Sequence, residues 1–515
     1  MPLTTQPETP VAPNNLCYIY PNSSNKLDYR TPLHSTPTTT SMEFSNSQSP
    51  HIVMVPSPGM GHLIPLVEFA KLLHFNHHFT VSFLLPTSTP PTSSQTSFLS
   101  TLPPAISYTF LPPVNTSLLP PNTSHGVIIN FIHSHSLNSF RSAMCSLSNV
   151  VAIVTDLFGT NYFDVARELG ILPYMYFTSN AFCLSFLFHL PELDRTVSFR
   201  YQDMEDPVVL PGCVPLYGKD FDEPALDRQS EGYKLELYHV QRYKLFEGIF
   251  VNSFFDLEPG ALNGLQSEGL NRTSIYPVGP IIRSGSGDSE KELECISWLD
   301  RQPPGSVLFV SFGSGGTLSF EQINELAIGL EKSGQRFLWV VRNPDNMSSC
   351  GSFFSSGQSQ DEGSFGFLPK GYVDRIKGRG LLVPFWAPQV KVLAHGSTSG
   401  FLTHCGWNSI LESIVYGVPL IAWPLYAEQR MNAVMLNEGL GVALRPKGNG
   451  CGLIETDEIA KVVNDLMGGE DGKKARGMMK ELSDAAKKAK SESGYSTKML
   501  NEVFLKWSQH KIQKE

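Results

Sequence analysis

No two of the eight cysteines stand in a C-x-x-C pair, which removes zinc ribbons and thioredoxin-type redox centres from consideration. Basic charge is also scarce. Thirty-nine Lys and Arg face 48 Asp and Glu, a formal net charge of −9, so the electrostatic footprint of a nucleic-acid binder is missing. No uninterrupted apolar run approaches the length of a bilayer span, and the N-terminus carries no apolar core of a secretion signal. The expectation is a cytoplasmic chain without a membrane segment, whose thiols stay reduced. The Gly-rich run SFGSGGT (311–317) is not G-x-G-x-x-G, and no acidic residue closes the next strand at the spacing a dinucleotide site needs.

What is present is length and rhythm. With 515 residues the chain exceeds one ordinary core and predicts two domains. Residues 1–49 are rich in Ser, Thr, Pro and Asn without periodicity and read as a disordered extension, with Met42 standing as an alternative start just before the ordered part. Apolar β-rich runs then alternate with helical patterns: HIVMVP (51–56), TVSFLL (80–85), VVAIVTD (150–156), PYMYFT (173–178) and GIFVNS (248–253). A polar stretch, IIRSGSGDSEKE (281–292), interrupts the alternation, and SVLFVSF (306–312), RFLWVV (336–341), LLVPFW, GFLTH and PLIAWP restart it. This pattern predicts an α/β fold of two tandem Rossmann-like, doubly wound domains facing a cleft, over 50–285 and 286–480. A helical segment follows at 481–515. Residues 343–367, rich in Ser and Gly, read as a mobile surface loop.

In such sheets ligands bind beyond the carboxyl ends of the strands, and four unusual stretches fall there. THCGWNSILE (403–412) places His404, Asn408, Ser409 and Glu412 at a strand-to-helix junction. A helix start presents unpaired N–H groups and a positive dipole end, which suits a phosphate. The bland alternative is that Asn408 and Ser409 merely cap the helix. WAPQ (386–389) offers the flat face of Trp386 and the amide of Gln389; a core tryptophan is the commoner fate. WPLYAEQ (423–429) puts Glu428 and Gln429 at another strand end, suited to sugar hydroxyls, with an ordinary helix start as the alternative. SFGSGGT adds Ser314 and close backbone approach, a weak signal alone.

Together, residues 386–429, WAPQVKVLAHGSTSGFLTHCGWNSILESIVYGVPLIAWPLYAEQ, resemble the signature box of plant UDP-dependent glycosyltransferases. The likeness extends over 50–510, and FVSFGSGGTL, VVAIVTDLFGT, LPGCVP and YPVGP resemble the subgroup of hydroquinone and monolignol glucosyltransferases. The resemblance implies the two-domain GT-B fold, a UDP-glucose donor, a small phenolic acceptor, no metal, no cofactor beyond the donor substrate, and a monomer. It also implies roles. Trp386, with the Ala387 backbone and Gln389, would hold uracil; Ser314, His404, Asn408 and Ser409 the diphosphate; Glu412 the ribose. Trp407, Glu428 and Gln429 would hold the sugar, with Tyr426 in the same stretch. Ser399 departs from the family's usual Gly and is expected to lie just before its strand. The last helices are expected to pack back on the first domain.

Transfer also needs a base for the acceptor hydroxyl. His62, in GMGHLIP (59–65), follows the first strand, and Asp156 ends VVAIVTD; histidine works near neutral pH and a carboxylate can orient it. A lone histidine is more often structural, but the family pattern matches both positions. The reaction implied is inverting transfer of glucose to a phenol, giving a β-O-glucoside and UDP. The rivals are the same chemistry on a flavonoid or other specialised metabolite, a non-catalytic UDP-sugar binder, and a dinucleotide-dependent oxidoreductase. Phe158, Tyr162, Asn180 and Phe182 are candidates for the acceptor pocket. A literal D-x-D, Asp220–Phe221–Asp222, marks metal-dependent transferases of another fold; here it reads as surface charge.

Overall fold

The computed structural model describes residues 49–120, 123–267, 273–284, 290–346 and 365–512. The N-terminal extension up to residue 48 and most of the Ser/Gly-rich loop, 347–364, lie outside these residues, as does the expected domain boundary at 285/286.

Seven strands form the first sheet: β1 (His51–Val55), β2 (Thr80–Leu85), β3 (Ile106–Phe110), β4 (Val150–Thr155), β5 (Leu172–Phe177), β6 (Gly248–Val251) and β7 (Ser274–Pro277). Their order is β3-β2-β1-β4-β5-β6-β7, and every pairing is parallel. The central strands are apolar throughout because both faces are covered, as parallel sheets require. β3 escaped the sequence reading for the converse reason, and β7 because it is only four residues long. Both are edge strands, and β3 buries only its first residue, so ISYTF carries no apolar run.

The second sheet contains β8 (Val307–Ser311), β9 (Arg336–Val341), β10 (Gly380–Pro384), β11 (Thr398–Thr403), β12 (Leu420–Ala422) and β13 (Ala443–Leu444), in the order β10-β9-β8-β11-β12-β13. Counting from its own first strand, this is the doubly wound order 3-2-1-4-5-6. Each sheet therefore reverses direction once, between β1 and β4 in the first and between β8 and β11 in the second. Ser399 lies inside β11 rather than before it, beside a register shift, where its hydroxyl donates to Gly305 O at 2.7 Å.

Apolar contact joins the two halves. One buried cluster includes Val251 and Phe254 of the first and Trp407 and Ile410 of the second. Polar contacts fix their alignment: Asn180 Nδ2 donates to Asn432 Oδ1 at 2.6 Å, and Arg445 pairs with Asp220 at 2.8 Å. The final helix, Tyr495–Ile512, lies against the first sheet. Its Trp507 is fully buried, edge-on to Tyr174 at 5.2 Å and to Phe79 at 5.8 Å. Lys506 Nζ donates to Tyr276 OH at 2.8 Å. The preceding helix, Glu470–Ala489, packs instead on the helix Trp407–Tyr416 of the second half. Among the described residues no helix is long and apolar enough to cross a membrane.

The tail helix holds itself to the first sheet largely through one indole. Trp507→Ala is expected to cost about 3–5 kcal/mol, read as a lower midpoint in chemical denaturation. An unchanged midpoint would show the helix to be dispensable.

Candidate active site

Both direction reversals open on one cavity of about 1210 Å³, lined by residues from each half. That is more than a drug-sized ligand needs and suits two substrates side by side.

His62 stands in the first turn of the helix Met60–His77, directly after β1, and Asp156 follows β4. The two strands are paired neighbours, so these residues meet although 94 positions separate them in the chain. His62 Nδ1 lies 3.0 Å from Asp156 Oδ2. The Asp156 carboxylate is fully buried and well supplied with donors. Ser57 N reaches Oδ2 at 2.6 Å, Ser57 Oγ reaches Oδ1 at 2.7 Å, and Phe158 N reaches Oδ1 at 3.1 Å. Burial alone would raise its pKa; the imidazoles of His62 and His133 and the Ser57 hydrogen bond outweigh that and bring it down to about 2. It is therefore a permanent anion beside His62.

Behind it runs a buried relay that the sequence did not signal. Ser57 Oγ donates to Asp156, so it accepts from His133 Nε2 at 2.7 Å, and His133 Nδ1 accepts from Tyr162 OH at 3.2 Å. Burial holds His133 down to about 4, and thus neutral, as this pattern requires. Tyr162 belongs to this relay and to the core, not to the cavity wall. Phe182 is likewise core, and Asn180 is spent on Asn432 and on capping its own helix. Of the four proposed acceptor-pocket residues, only Phe158 lines the cavity.

On the opposite wall the second sheet ends in three strained corners. Phe385, Cys405 and Ala427 follow β10, β11 and β12 with φ of 66°, 65° and 51°. Left-handed non-glycine residues cost on the order of 1–3 kcal/mol each and persist only when their surroundings hold them. Here they do. Phe385 N donates to Val341 O at 3.0 Å, Asn432 Nδ2 donates to Cys405 O at 2.9 Å, and Ala427 exchanges two 3.0 Å bonds with Glu223 of the first half.

The helix Trp407–Tyr416 begins behind Gly406 with no side-chain cap. Asn408 and Ser409 are thus inside the first turn, not caps, and the first N–H groups remain open to an anion. Asn408 Nδ2 donates to Gly61 O at 3.2 Å, tying this turn to the residue beside His62. The Trp407 indole is buried and donates to Asn252 O at 2.8 Å, so only its backbone is left for a ligand. His404 is clasped between Gly313 and Gly406, where an added Cβ would come within 2.5 Å and 2.4 Å of its Nε2. Burial, then the nearby Arg342 charge, lower its pKa to about 4, leaving a neutral N–H donor. Ser314 faces the same space from the loop after β8.

Further out, Trp386 is 44% exposed, with the Arg283 guanidinium 5.9 Å from its ring centre. Ala387 is buried behind it. Gln389 Nε2 donates to Ser409 Oγ at 2.9 Å and to Glu412 Oε2 at 2.7 Å. Burial raises the Glu412 carboxyl to about 7, against the lowering effect of Gln389 and Arg283. Gln429 Oε1 accepts from Leu425 N and Tyr426 N at 2.9 and 3.0 Å, which leaves its amide nitrogen for a ligand. Glu428 Oε1 accepts from Ser179 Oγ at 3.0 Å. Tyr426 also lines the cavity.

An uncapped helix start, neutral donors and an exposed indole on one wall thus face a His–Asp pair on the other, across one cavity. Residues 285–448 match the family model described as UDP-glucoronosyl and UDP-glucosyl transferase. Hydroquinone glucosyltransferase of Rauvolfia serpentina is 54% identical over 462 residues, 89% of this chain and 98% of that protein. UDP-glycosyltransferase 72B1 of Arabidopsis thaliana is 50% identical, over 91% of this chain and 98% of that protein. The structure of Phytolacca americana UGT2 with UDP-2-fluoro-glucose and pterostilbene superposes with a TM-score of 0.82 at 62% identity, covering 89% of this chain and all of that one. The chain belongs to the plant UDP-glycosyltransferase family, with the GT-B fold, and is a UDP-sugar-dependent glycosyltransferase.

The glycine clasp makes a sharp test. Gly406→Ala pushes His404 out of line, so UDP binding by calorimetry should weaken about tenfold or more, the loss of one hydrogen bond to a charged group. Wild-type affinity in this variant would show that His404 does not meet the diphosphate.

Proposed function

We propose that this protein transfers glucose from UDP-glucose to the hydroxyl of a small phenolic acceptor, with inversion, giving a β-O-glucoside and UDP. The carrying observation is the His62–Asp156 pair at 3.0 Å, opposite the uncapped start of Trp407–Tyr416. In this reading Nε2 of His62 takes the proton of the acceptor hydroxyl. The oxygen attacks the anomeric carbon from the face opposite UDP, the bond to the β-phosphate oxygen breaks, and its electron pair leaves with UDP. The proton rests on His62, where the Asp156 anion stabilises the imidazolium.

The leaving diphosphate meets His404, Ser314, Asn408, Ser409 and the helix N–H groups, all fixed before charge develops. Uracil stacks on Trp386 beside Ala387 and Gln389, and the ribose hydroxyls donate to Glu412. Glucose lies against Glu428, Gln429, Tyr426 and the Trp407 backbone. The sequence likeness to a hydroquinone glucosyltransferase supports the phenolic acceptor, and Gln429 supports glucose.

Two outcomes test the reading. UDP release should depend on an added phenol and fall by about 10²–10⁴-fold in His62→Ala, the contribution of a positioned base. Release that is indifferent to phenol or to the substitution removes the assignment.

The second concerns Glu412. Its carboxylate form, present above about pH 7 in the free protein, is the one that accepts ribose hydroxyls. UDP-glucose affinity should therefore rise from pH 6 to pH 8, and Glu412→Gln should flatten that dependence. A pH-independent wild type would refute the ribose role.

A further inference from the structure

The cavity wall of the first half holds polar atoms that the transfer mechanism leaves idle. Asp222 comes from the D-x-D read as surface charge. Its residue is only 4% exposed, and its carboxyl meets that of Glu236. Asp220 is buried too, in its ion pair with Arg445, so neither member of the motif is surface charge. Glu236, the other member of that carboxyl pair, stands on the helix Glu231–Tyr243. One turn on, on the same face, His239 gives Nδ1 to Thr160 Oγ1 at 2.8 Å and leaves Nε2 buried and unpartnered. All three residues line the cavity.

An unpaired buried polar atom costs about 1–3 kcal/mol, so the His239 nitrogen beside a carboxyl pair on a ligand cavity marks a place where a ligand completes the bonding. Their chemistry selects that ligand. Asp222 and Glu236 share a hydrogen bond and are both raised by burial, so together they hold less than two negative charges. Glu223 and Glu428 add negative potential at Asp222. A hydrogen-bond donor is welcome there; a carboxylate is repelled.

The Phe158 ring touches both histidines, its centre 5.8 Å from that of His62 and 6.2 Å from that of His239, so the base and this polar group share one aromatic wall.

Resting on the glucosyl-transfer reading, we infer that Asp222, Glu236 and His239 form a subsite for a second, distal hydroxyl or amine of a neutral acceptor. The role is one of specificity: these residues would bind the far end of the acceptor while His62 works on the near end.

The test compares matched acceptors that differ only at the far end: 4,4′-dihydroxystilbene, its monomethyl ether and the 4-hydroxystilbene bearing a 4′-carboxylate. In the wild type kcat/KM should favour the diol over the ether by about tenfold, the worth of one hydrogen bond to a charged group, with the carboxylate the poorest. In Glu236→Leu the diol-to-ether ratio should fall to near one. Asp222→Asn should raise use of the carboxylate relative to the ether. UDP-induced thermal stabilisation checks that each variant is folded, and Glu236→Gln, read by the same carboxylate-to-ether ratio, replaces an unfolded Leu variant.

A wild type that treats diol and ether alike overturns the inference. So do variants that change all three acceptors equally, or that change only the KM for UDP-glucose, which would place the pair on the sugar. Failure of every acceptor to release UDP would instead strike the glucosyl-transfer reading. Calorimetric binding of the diol against the ether, with UDP present, then decides the subsite by itself.

Discussion

The indole N–H of Trp407, bonded to the carbonyl of Asn252 at 2.8 Å, sets the geometry on which the site depends. It joins the first residue of the helix Trp407–Tyr416 to the strand end of the other sheet. One residue on, Asn408 reaches the carbonyl of Gly61, next to His62. Both bonds are buried or nearly so, where an unmade partner is costly. The start of a helix in one half is thereby held at a fixed place before His62 of the other. Proximity of this kind is a large part of what an enzyme contributes to a two-substrate reaction.

Around that joint the two walls are built on different physics. The first-sheet wall stores charge. Asp156 is stripped of water yet kept ionised by Ser57 N–H, Ser57 O–H, Phe158 N–H and the neighbouring imidazoles. The second-sheet wall stores strain. Phe385, Cys405 and Ala427 turn through left-handed corners at three successive strand ends, each held by hydrogen bonds from elsewhere. These corners re-aim Trp386, the Trp407 helix start and Glu428 into one cavity. Neutral donors there also fit the task, since burial keeps His404 uncharged and fixed between two glycines.

Burial also separates two kinds of carboxyl that look alike as letters. Asp156 is buried with donors and stays low, whereas Glu412 is buried with fewer and rises to about 7. Asp222 and Glu236 are buried against each other, and both rise. Composition counts all four as acids; only their partners decide which are charged.

The sequence by itself determined the parallel strands, because both faces of each are covered and so read as apolar runs. It also determined the strand-end placing of His62, Asp156, His404 and Trp386, because ligand groups in these sheets follow strands. The edge strands β3, β7 and β13 were not legible, since partial exposure or brevity erases their pattern. Tertiary structure alone decided what Ser57 and His133 do, why the Trp407 side chain is a strut, and that Tyr162, Asn180 and Phe182 belong to the interior. It also moved Asp222 from supposed surface to cavity wall. The reason is physical: periodicity records which face of an element is buried, whereas hydrogen bonding between residues a hundred positions apart depends on strand order, which no local pattern encodes.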